Sequence, residues 1–178
     1  MRLETERLIL RDYNLNDFRT CHAYARDPAV CEYCSWGPNT VEVTQNFIEM
    51  QVREAAEEPR LNFGLAIVEK STGLHFGGVG LRRSSLQDQE ADLGYVLAKS
   101  FWGQGFATEA CQKILEFAFL EKGFRKITAL VLPDNLASIN VIEKMGMRKV
   151  TGESKKLQVK GLLRECFQFE VLSSIVSK

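Results

Sequence analysis

The alternation of hydrophobic and polar positions predicts three consecutive strands near the middle of the chain. Two polar segments of turn-like composition separate these strands, at 70–73 and 84–89. Strands joined by such short turns form an antiparallel meander. The predicted strands cover residues 61–69, 74–82 and 90–98.

Upstream of the meander, the pattern predicts one strand at 3–12 and two helices. The first helix covers about 17–26 and the second 40–57, with Thr40 as its N-cap because a threonine hydroxyl can accept a backbone N–H there. The apolar residues of the second helix are spaced to form one face toward the core. They are Val43, Phe47, Ile48, Met50 and Val52.

Downstream of the meander, a glycine-containing segment at 102–110 leads into a predicted helix at 104–122. Small and apolar residues recur there at helical spacing, and Gly123 is suited to the end of a helix. These residues are Ala107, Ala110, Cys111, Ile114, Leu115 and Ala118. The next strand, at 125–132, is apolar on both faces, as is typical of a central strand.

The end of the chain is predicted to form a short helix at 137–145 and two strands at 148–152 and 162–172, joined by a charged linker at 153–160. The strand–helix–strand crossover around the long helix places two parallel strands in an otherwise antiparallel sheet. We therefore expect an α+β (α/β) fold in a single domain over residues 1–178. Its mixed, mostly antiparallel sheet contains a central parallel pair and carries helices on both faces.

Composition limits the partners that the chain can have. Lysine plus arginine and aspartate plus glutamate number 23 each, which gives a net charge of zero and no support for a nucleic-acid partner. No apolar run reaches the length of a transmembrane helix, so no membrane partner is expected. The charged start of the sequence lacks the apolar core of a signal peptide, and we expect a cytoplasmic protein.

The five cysteines are an odd and scattered set, which argues against a disulfide framework. Cys31 and Cys34 have the spacing of zinc ligands, and Cys21 and His22 lie just upstream. However, Cys21 and His22 are adjacent on a predicted helix and point in different directions, and there is no second Cys-x-x-Cys pair. We therefore expect buried free thiols and no metal.

The segment Trp102-Gly103-Gln104-Gly105 suggests an anion-binding loop. Two glycines two positions apart let the backbone turn tightly and approach a ligand, since neither carries a Cβ. The helix that follows leaves its first N–H groups without intrahelical partners at the positive end of the helix dipole, which favours a phosphate. The loop alone is equally consistent with an ordinary turn into a helix.

Two other glycine-rich motifs fit this segment less well. A dinucleotide fingerprint requires a third glycine where Thr108 stands, and repeated strand–helix–strand units where the meander lies. A Walker A loop is excluded because the Gly-Lys-Ser/Thr ending is missing from the segment.

Three segments together resemble the GNAT acetyltransferase superfamily, and more narrowly its RimJ/RimL-like branch of ribosomal-protein N-terminal acetyltransferases. They are residues 4–11 (ETERLILR), 92–97 (DLGYVL) running into 102–110 (WGQGFATEA), and 135–147 (NLASINVIEKMGM). Their order and spacing match over nearly the whole chain. The resemblance implies a GNAT-like domain that transfers an acetyl group from acetyl-CoA to an amine.

The resemblance also implies that backbone amides of the glycine loop hold the diphosphate of acetyl-CoA, the expected co-substrate. Asn135 and Ser138 match the family's second CoA-contacting segment, and Asn140 is a further expected contact. Trp102 replaces the Gln or Arg that is common at this position, which leaves the backbone role intact. The expected CoA contacts are Tyr95, Val96, Leu97, Trp102, Gly103, Gln104, Gly105, Phe106, Ala107, Thr108, Asn135, Ser138 and Asn140.

Acetyl transfer needs a neutral amine, and two acids on one strand face are candidate catalytic bases. Asp92, at a position that commonly carries the base in this family, is the first candidate and Glu90 the second. Both can point at one cleft because they are two residues apart on a strand, although a solvated strand face is the alternative. An α-amine with a pKa near ~7.8 is about a tenth neutral at pH 7, whereas a lysine near ~10.4 is almost wholly protonated. A weak or water-relayed base therefore suffices for an α-amine.

The reaction also needs a donor for the oxyanion and a proton for the leaving thiolate. The backbone N–H of Val96 or Leu97 is the candidate oxyanion donor, where the strand parts from its neighbour. Many members of the family carry a tyrosine where this chain has Ile142, so we expect Ser138, the counterpart of a serine in the RimL-like branch, to supply the proton. A capping role for Ser138 is the alternative, and a thiolate can also leave unaided.

We therefore expect direct acetyl transfer from acetyl-CoA to a primary amine, and most simply to a protein N-terminal α-amine. Small amines such as polyamines, antibiotics or amino acids are the alternative acceptors, and a non-catalytic acyl-CoA-binding module is a further alternative. Tyr33, Trp36 and Phe63 are candidate lining residues of the acceptor cleft. The sequence leaves open whether the protein forms a homodimer.

Overall fold

The computed structural model describes residues 1–83, 85, 87–152 and 155–173. Nine strands lie within this part of the chain, and they form one mixed sheet. The strands are β1 (Arg2–Glu4), β2 (Leu8–Arg11), β3 (Asn62–Glu69), β4 (His75–Arg82), β5 (Glu90–Leu97), β6 (Lys126–Val131), β7 (Arg148–Lys149), β8 (Lys155–Val159) and β9 (Leu162–Leu172).

The helices lie close to their predicted positions. They are α1 (Phe18–Ala25), α2 (Val41–Ala55), α3 (Phe106–Glu116) and α4 (Leu136–Lys144). A π-helical turn, Phe117–Glu121, continues α3, and 3₁₀ turns cover Leu15–Asp17 and Lys99–Phe101. No helix in the part of the chain described by the structure is long and apolar enough to cross a membrane.

The sheet has the predicted topology. Its strand order is β1-β2-β3-β4-β5-β6-β9-β7, with β8 paired to β9. Strands β5 and β6, which α3 connects, are parallel, whereas the other neighbours are antiparallel. The predicted meander and the predicted parallel pair are therefore confirmed.

Helices cover both faces of the sheet, as predicted. On one face, the apolar stripe of α3, including Ala110 and Ile114, packs against Leu65 and Ile127 in the main core. On the other face, residues of α1 and α2 such as Ile48 form a second apolar cluster with Tyr13 and Ala66. Burial of these faces is the main stabilising contribution to such a layered fold.

The linker predicted at 153–160 contains a strand, which corrects that expectation. Within it, β8 pairs with the first half of β9, and the side chains of Leu157 and Val159 pack with Leu132 and Cys166. The alternation of apolar and polar residues in this strand is short and begins with two lysines, so the two-residue period typical of a strand was not recognisable in the sequence. Residues 153 and 154 of the predicted linker, and residues 84 and 86 of the predicted turn at 84–89, lie outside the described residues.

Two further expectations are corrected near the start of the chain. The single strand predicted at 3–12 is a hairpin, because Thr5 N donates to Leu8 O (3.0 Å) and turns the chain between β1 and β2. Thr40 caps α2 as predicted, but Val43 is 49% exposed. The buried face of α2 instead carries Thr44, Ile48 and Gln51.

Candidate active site

The glycine loop at 102–105 joins the end of β5 to the start of α3. Gly103 and Gly105 both adopt positive φ values, +74° and +82°, which a residue with a Cβ rarely adopts. Gly105 is the N-cap of α3 and offers no side chain to its first turn. The N–H groups of that turn are therefore left for an external acceptor such as a phosphate.

Two side chains fix this loop to the protein. The indole Nε1 of Trp102 donates to the Leu97 carbonyl at the end of β5 (2.9 Å), and Gln104 Nε2 donates to the Ser100 carbonyl (2.9 Å). Trp102, which replaces the common Gln or Arg at this position, thus has a structural role, because its indole N–H binds the loop to the end of the strand.

Strands β5 and β6 separate soon after they meet, and this opens the sheet between them. Their parallel pairing covers residues 90–92 of β5 and 126–128 of β6. The glycine loop and α3 follow the far end of β5, and α4 follows the far end of β6. The gap between the two strands therefore leads from the glycine loop to Asp92 at the point of separation.

The direction of the β5 amides distinguishes the two candidate oxyanion donors. Ala98 N donates to Phe76 O of β4 (2.8 Å), and the register between these strands is regular. Amides alternate along a strand, so the Val96 N–H points into the ladder with β4 and the Leu97 N–H points toward the gap. The Val96 N–H is therefore not available as an oxyanion donor, and we retain the Leu97 N–H.

Asp92 and Glu90 share one face of β5, as predicted, but their surroundings differ. Thr128 Oγ1 of β6 donates to Asp92 Oδ1, whereas Glu90 forms an ion pair with Lys126 (2.8 Å). Glu90 lies two residues before Asp92 in the strand, and is therefore about 7 Å further than Asp92 from the point of separation. Asp92 is thus better placed for a substrate in the gap. Sequence analysis missed Thr128, although the parallel pairing alone could have placed it beside Asp92.

The sheet is open on the Asp92 face. Gly94 is exposed, and apart from its chain neighbours no atom of the described residues would lie within 4 Å of a Cβ built on it. On β6, Leu130 is 39% exposed. Next to this surface lies an open pocket of about 610 Å³ that Asp92 helps to line. Its charged residues are Arg82, Arg83, Asp88, Glu90, Asp92 and Arg125.

Ser138 and Tyr95 form a hydrogen bond between α4 and β5. Tyr95 Oη donates to Ser138 Oγ (3.0 Å), and burial raises the pKa of the Tyr95 phenol above its usual value. Asn135, not Ser138, caps α4, because its Oδ1 accepts from Ser138 N (3.1 Å). Asn140 is exposed two residues beyond Ser138 and so lies on a different face of α4.

Of the aromatic residues predicted to line the acceptor cleft, Phe63 is misplaced. It is 4% exposed and packs against Phe117 and Phe124 on the α3 face, opposite Asp92. Tyr33 packs against the cluster around β8, and Trp36 is 36% exposed. The strand alternation around 63 is consistent with either face, so the sequence alone could not decide between them.

The cysteines are free, and all are buried except Cys34, which is partly buried. Cys31 Sγ donates to the Ala25 carbonyl (3.1 Å) and Cys34 Sγ to the Val30 carbonyl (3.4 Å). Across the described ranges of the chain, no group of three or more His, Cys, Asp or Glu side chains could hold a metal ion.

A sheet that opens between two parallel strands, with a glycine loop at the start of the following helix, is the arrangement expected of a CoA-dependent acyltransferase. The pattern of the Acetyltransferase (GNAT) domain family matches residues 7–148. The uncharacterized N-acetyltransferase p20 of Bacillus licheniformis is 31% identical over 171 residues, which cover 96% of this chain and 95% of that protein.

Solved structures agree with this match. An acetyltransferase of the GNAT family from Bacillus anthracis has a TM-score of 0.84 at 25% identity, over 98% of this chain and 99% of that one. Mycobacterium smegmatis RimJ in complex with CoA-disulfide has a TM-score of 0.82 at 20% identity, over 96% and 84%. Spermidine N-acetyltransferase from Vibrio cholerae, in complex with CoA and spermine, has 0.79 at 17% identity, over 96% and 98%. The last two show likeness of fold alone.

The chain belongs to the GNAT acetyltransferase family. It is an acetyl-CoA-dependent N-acetyltransferase, and the predicted enzyme class and co-substrate are confirmed. The alternative of a non-catalytic acyl-CoA-binding module is set aside.

Proposed function

We propose that this enzyme acetylates the N-terminal α-amine of a protein, as a RimJ/RimL-like acetyltransferase whose single domain spans residues 1–178. The observation that carries the proposal is the charge balance of the pocket beside Asp92. Among the residues that the structure describes, three arginines and three carboxylates line it, and one of those carboxylates, Glu90, already pairs with Lys126. A polyamine site needs an excess of negative charge, whereas a peptide main chain does not.

The proposed catalytic base is Asp92, acting directly or through one water. Its carboxylate is exposed on the open face of β5, and the Thr128 hydroxyl fixes its orientation. A single carboxylate suffices for an α-amine, because about a tenth of such amines is already neutral at pH 7. The proton of the attacking amine passes to Asp92 or to the water as the new N–C bond forms.

The remaining groups act on the thioester, which supplies the activated acetyl group. The Leu97 N–H stabilises the negative charge that develops on the carbonyl oxygen. When the C–S bond breaks, Ser138 donates its hydroxyl proton to the thiolate and regains a proton from water, while Tyr95 Oη keeps its own proton and donates a hydrogen bond to Ser138 Oγ. These two hydroxyls take the place of the tyrosine that is common at position 142, where this chain has a buried isoleucine.

In this proposal, acetyl-CoA binds on the side of the gap away from the acceptor amine and Asp92. Backbone amides of residues 104–108 bind the diphosphate, Tyr95 and Leu97 accompany the pantetheine arm, and Asn135 and Ser138 contact it from α4. Asn140 is the least supported contact, because it does not share a helix face with Ser138. Acetyl-CoA and the amine thus approach the separation point from different sides.

An acceptor screen that measures thiol release tests the proposed acceptor. Peptides with a free α-amine and no lysine are compared with the same peptides N-terminally blocked, with blocked peptides containing lysine, and with spermidine and free amino acids. We expect kcat/KM for the unblocked peptides to exceed that for spermidine by at least about tenfold. Highest turnover with spermidine or another small amine would instead support the alternative acceptor class.

A further inference from the structure

The turn between β1 and β2 is joined to the first turn of α3 by four polar contacts on one carboxylate. Thr5 Oγ1 (2.5 Å) and Arg7 N (3.0 Å) donate to Glu109 Oε1. Arg7 Nε (2.7 Å) and Arg7 Nη2 (2.6 Å) contact Glu109 Oε2. Residues about one hundred positions apart in sequence are thereby held at the start of the helix that follows the glycine loop.

The same guanidinium also contacts the glycine loop itself. Arg7 Nη1 donates to the Gln104 carbonyl (3.0 Å), and the guanidinium lies 4.4 Å from the centre of the Phe106 ring. A Cβ built on Gly105 would lie 3.4 Å from Arg7 Nη2. One planar side chain therefore fixes the loop carbonyl, the helix carboxylate and the first aromatic ring of α3 at once.

The contact to the Gln104 carbonyl determines the direction of the next amide. The Gln104–Gly105 peptide is trans, so its C=O and its N–H point in opposite directions. We propose that Arg7 is a positioning residue for acetyl-CoA. Its guanidinium holds the Gln104 carbonyl pointing toward Arg7, and this turns the Gly105 N–H in the opposite direction, toward the diphosphate. This inference rests on the proposed placement of the diphosphate at residues 104–108.

Arg7 has a second effect on the proposed anion site, because it pairs with the charged carboxylate of Glu109. Burial raises the pKa of the Glu109 carboxyl, but the hydrogen bonds from Thr5 and Arg7 outweigh it, and the pKa lies below its usual value. Glu109 is therefore ionised in the first turn of α3, close to the proposed anion site. Arg7 neutralises a carboxylate that would otherwise repel the diphosphate.

Arg7→Met and Arg7→Lys test the proposal, with Lys70→Met as the matched control. The Lys70 side chain contacts the same turn, through the Thr5 carbonyl (2.6 Å) and Glu4 (2.9 Å), and neither of these contacts involves the glycine loop. Titration calorimetry gives the Kd for CoA. Steady-state kinetics then compare acetyl-CoA with S-acetylpantetheine, which lacks the diphosphate and the nucleotide.

We expect Arg7→Met to raise the Kd for CoA and the KM for acetyl-CoA by about tenfold, with kcat within about twofold. Arg7→Lys should give a smaller increase, because an ammonium can contact Glu109 or the Gln104 carbonyl but lacks the planar fork. Neither variant should change kcat/KM with S-acetylpantetheine, and Lys70→Met should change none of these quantities.

Two results would overturn the inference: an unchanged Kd for CoA in Arg7→Met, or an equal loss of kcat/KM with both acetyl donors. If Arg7→Met does not fold, the Kd for CoA of Arg7→Lys tests the inference instead: an increase supports it, and an unchanged Kd overturns it. The calorimetric series needs no acceptor, so a wild-type enzyme that binds CoA but acetylates no α-amine would contradict the proposed function and leave the Arg7 result standing.

Discussion

Asp92 and Glu90 show how neighbours that are distant in sequence give similar side chains different surroundings. Asp92 and Glu90 have the same chemistry and the same strand face, and the sequence could only rank them. The structure gives Asp92 a hydroxyl donor from Thr128 and gives Glu90 a lysine partner. Both differences depend on the register between β5 and β6, which hydrophobic patterning does not encode.

The first prediction at this scale concerns the catalytic base. Asp92→Asn keeps the shape of the side chain but cannot accept a proton, so we expect kcat to fall by about 100-fold. The Kd for acetyl-CoA, measured by calorimetry, should stay within about twofold of wild type. Glu90→Gln, the matched control, should lower kcat by less than about threefold. Equal losses of turnover and of acetyl-CoA binding in Asp92→Asn would assign Asp92 a structural role.

A second prediction concerns the backbone of the glycine loop. Gly105→Val places a β-branched residue at φ +82°, which distorts the loop, and we expect calorimetry to detect no CoA binding. Gly123→Val carries comparable strain at φ +68° after the end of the π-helical turn, away from the loop. This control should lose stability but keep its Kd for CoA within about twofold. Near-normal affinity in Gly105→Val would rule out the loop as the diphosphate site.

At the scale of the element, long periodic segments were predicted well and short ones were not. The stripe of α3 and the meander of β3 to β5 each repeat a period often enough to identify the element. In contrast, β8 has five residues and begins with two lysines, and its pairing depends on β9. The buried face of α2 was misassigned because Gln51 packs over Gly64, a contact that only the tertiary structure creates.

The element that organises the site is β5, whose two faces serve different purposes. Ala91 and Leu93 point into the α3 core, whereas Asp92 and Gly94 face the open side. We expect Gly94→Val to raise the KM for the acceptor peptide by about tenfold, because its side chain would occupy the space beside Asp92. Gly94→Ala should have a smaller effect.

Two measurements on Gly94→Val separate an acceptor effect from a structural one. The melting temperature should not fall, since valine is well accommodated in a strand and, in the part of the chain that the structure describes, only its chain neighbours approach the new Cβ within 4 Å. The Kd for CoA should also be unchanged, because the diphosphate loop lies beyond the end of β5. A change in CoA affinity with a normal acceptor KM would show that the open face is not the acceptor side.

Across the whole molecule, the identity of the co-substrate was predictable from the sequence and the surface beside Asp92 was not. The glycine loop and the segment at 135–147 are contiguous motifs, so the sequence alone identified the co-substrate. The pocket beside Asp92 combines residues from β4, β5, the turn between them and the start of β6. Such a surface exists only after the sheet has formed. The face on which Phe63 lies likewise depends on strand register, which the sequence alone does not give.

In the mechanism that we propose, main-chain amides of residues 104–108 hold the diphosphate of acetyl-CoA. A crystal structure of the complex with CoA tests this placement. We expect diphosphate oxygens about 2.7–3.2 Å from several of these backbone nitrogens, with the Gly105 N–H among the donors. A diphosphate bound elsewhere, or held by charged side chains while these amides face solvent, would rule out the loop as the diphosphate site.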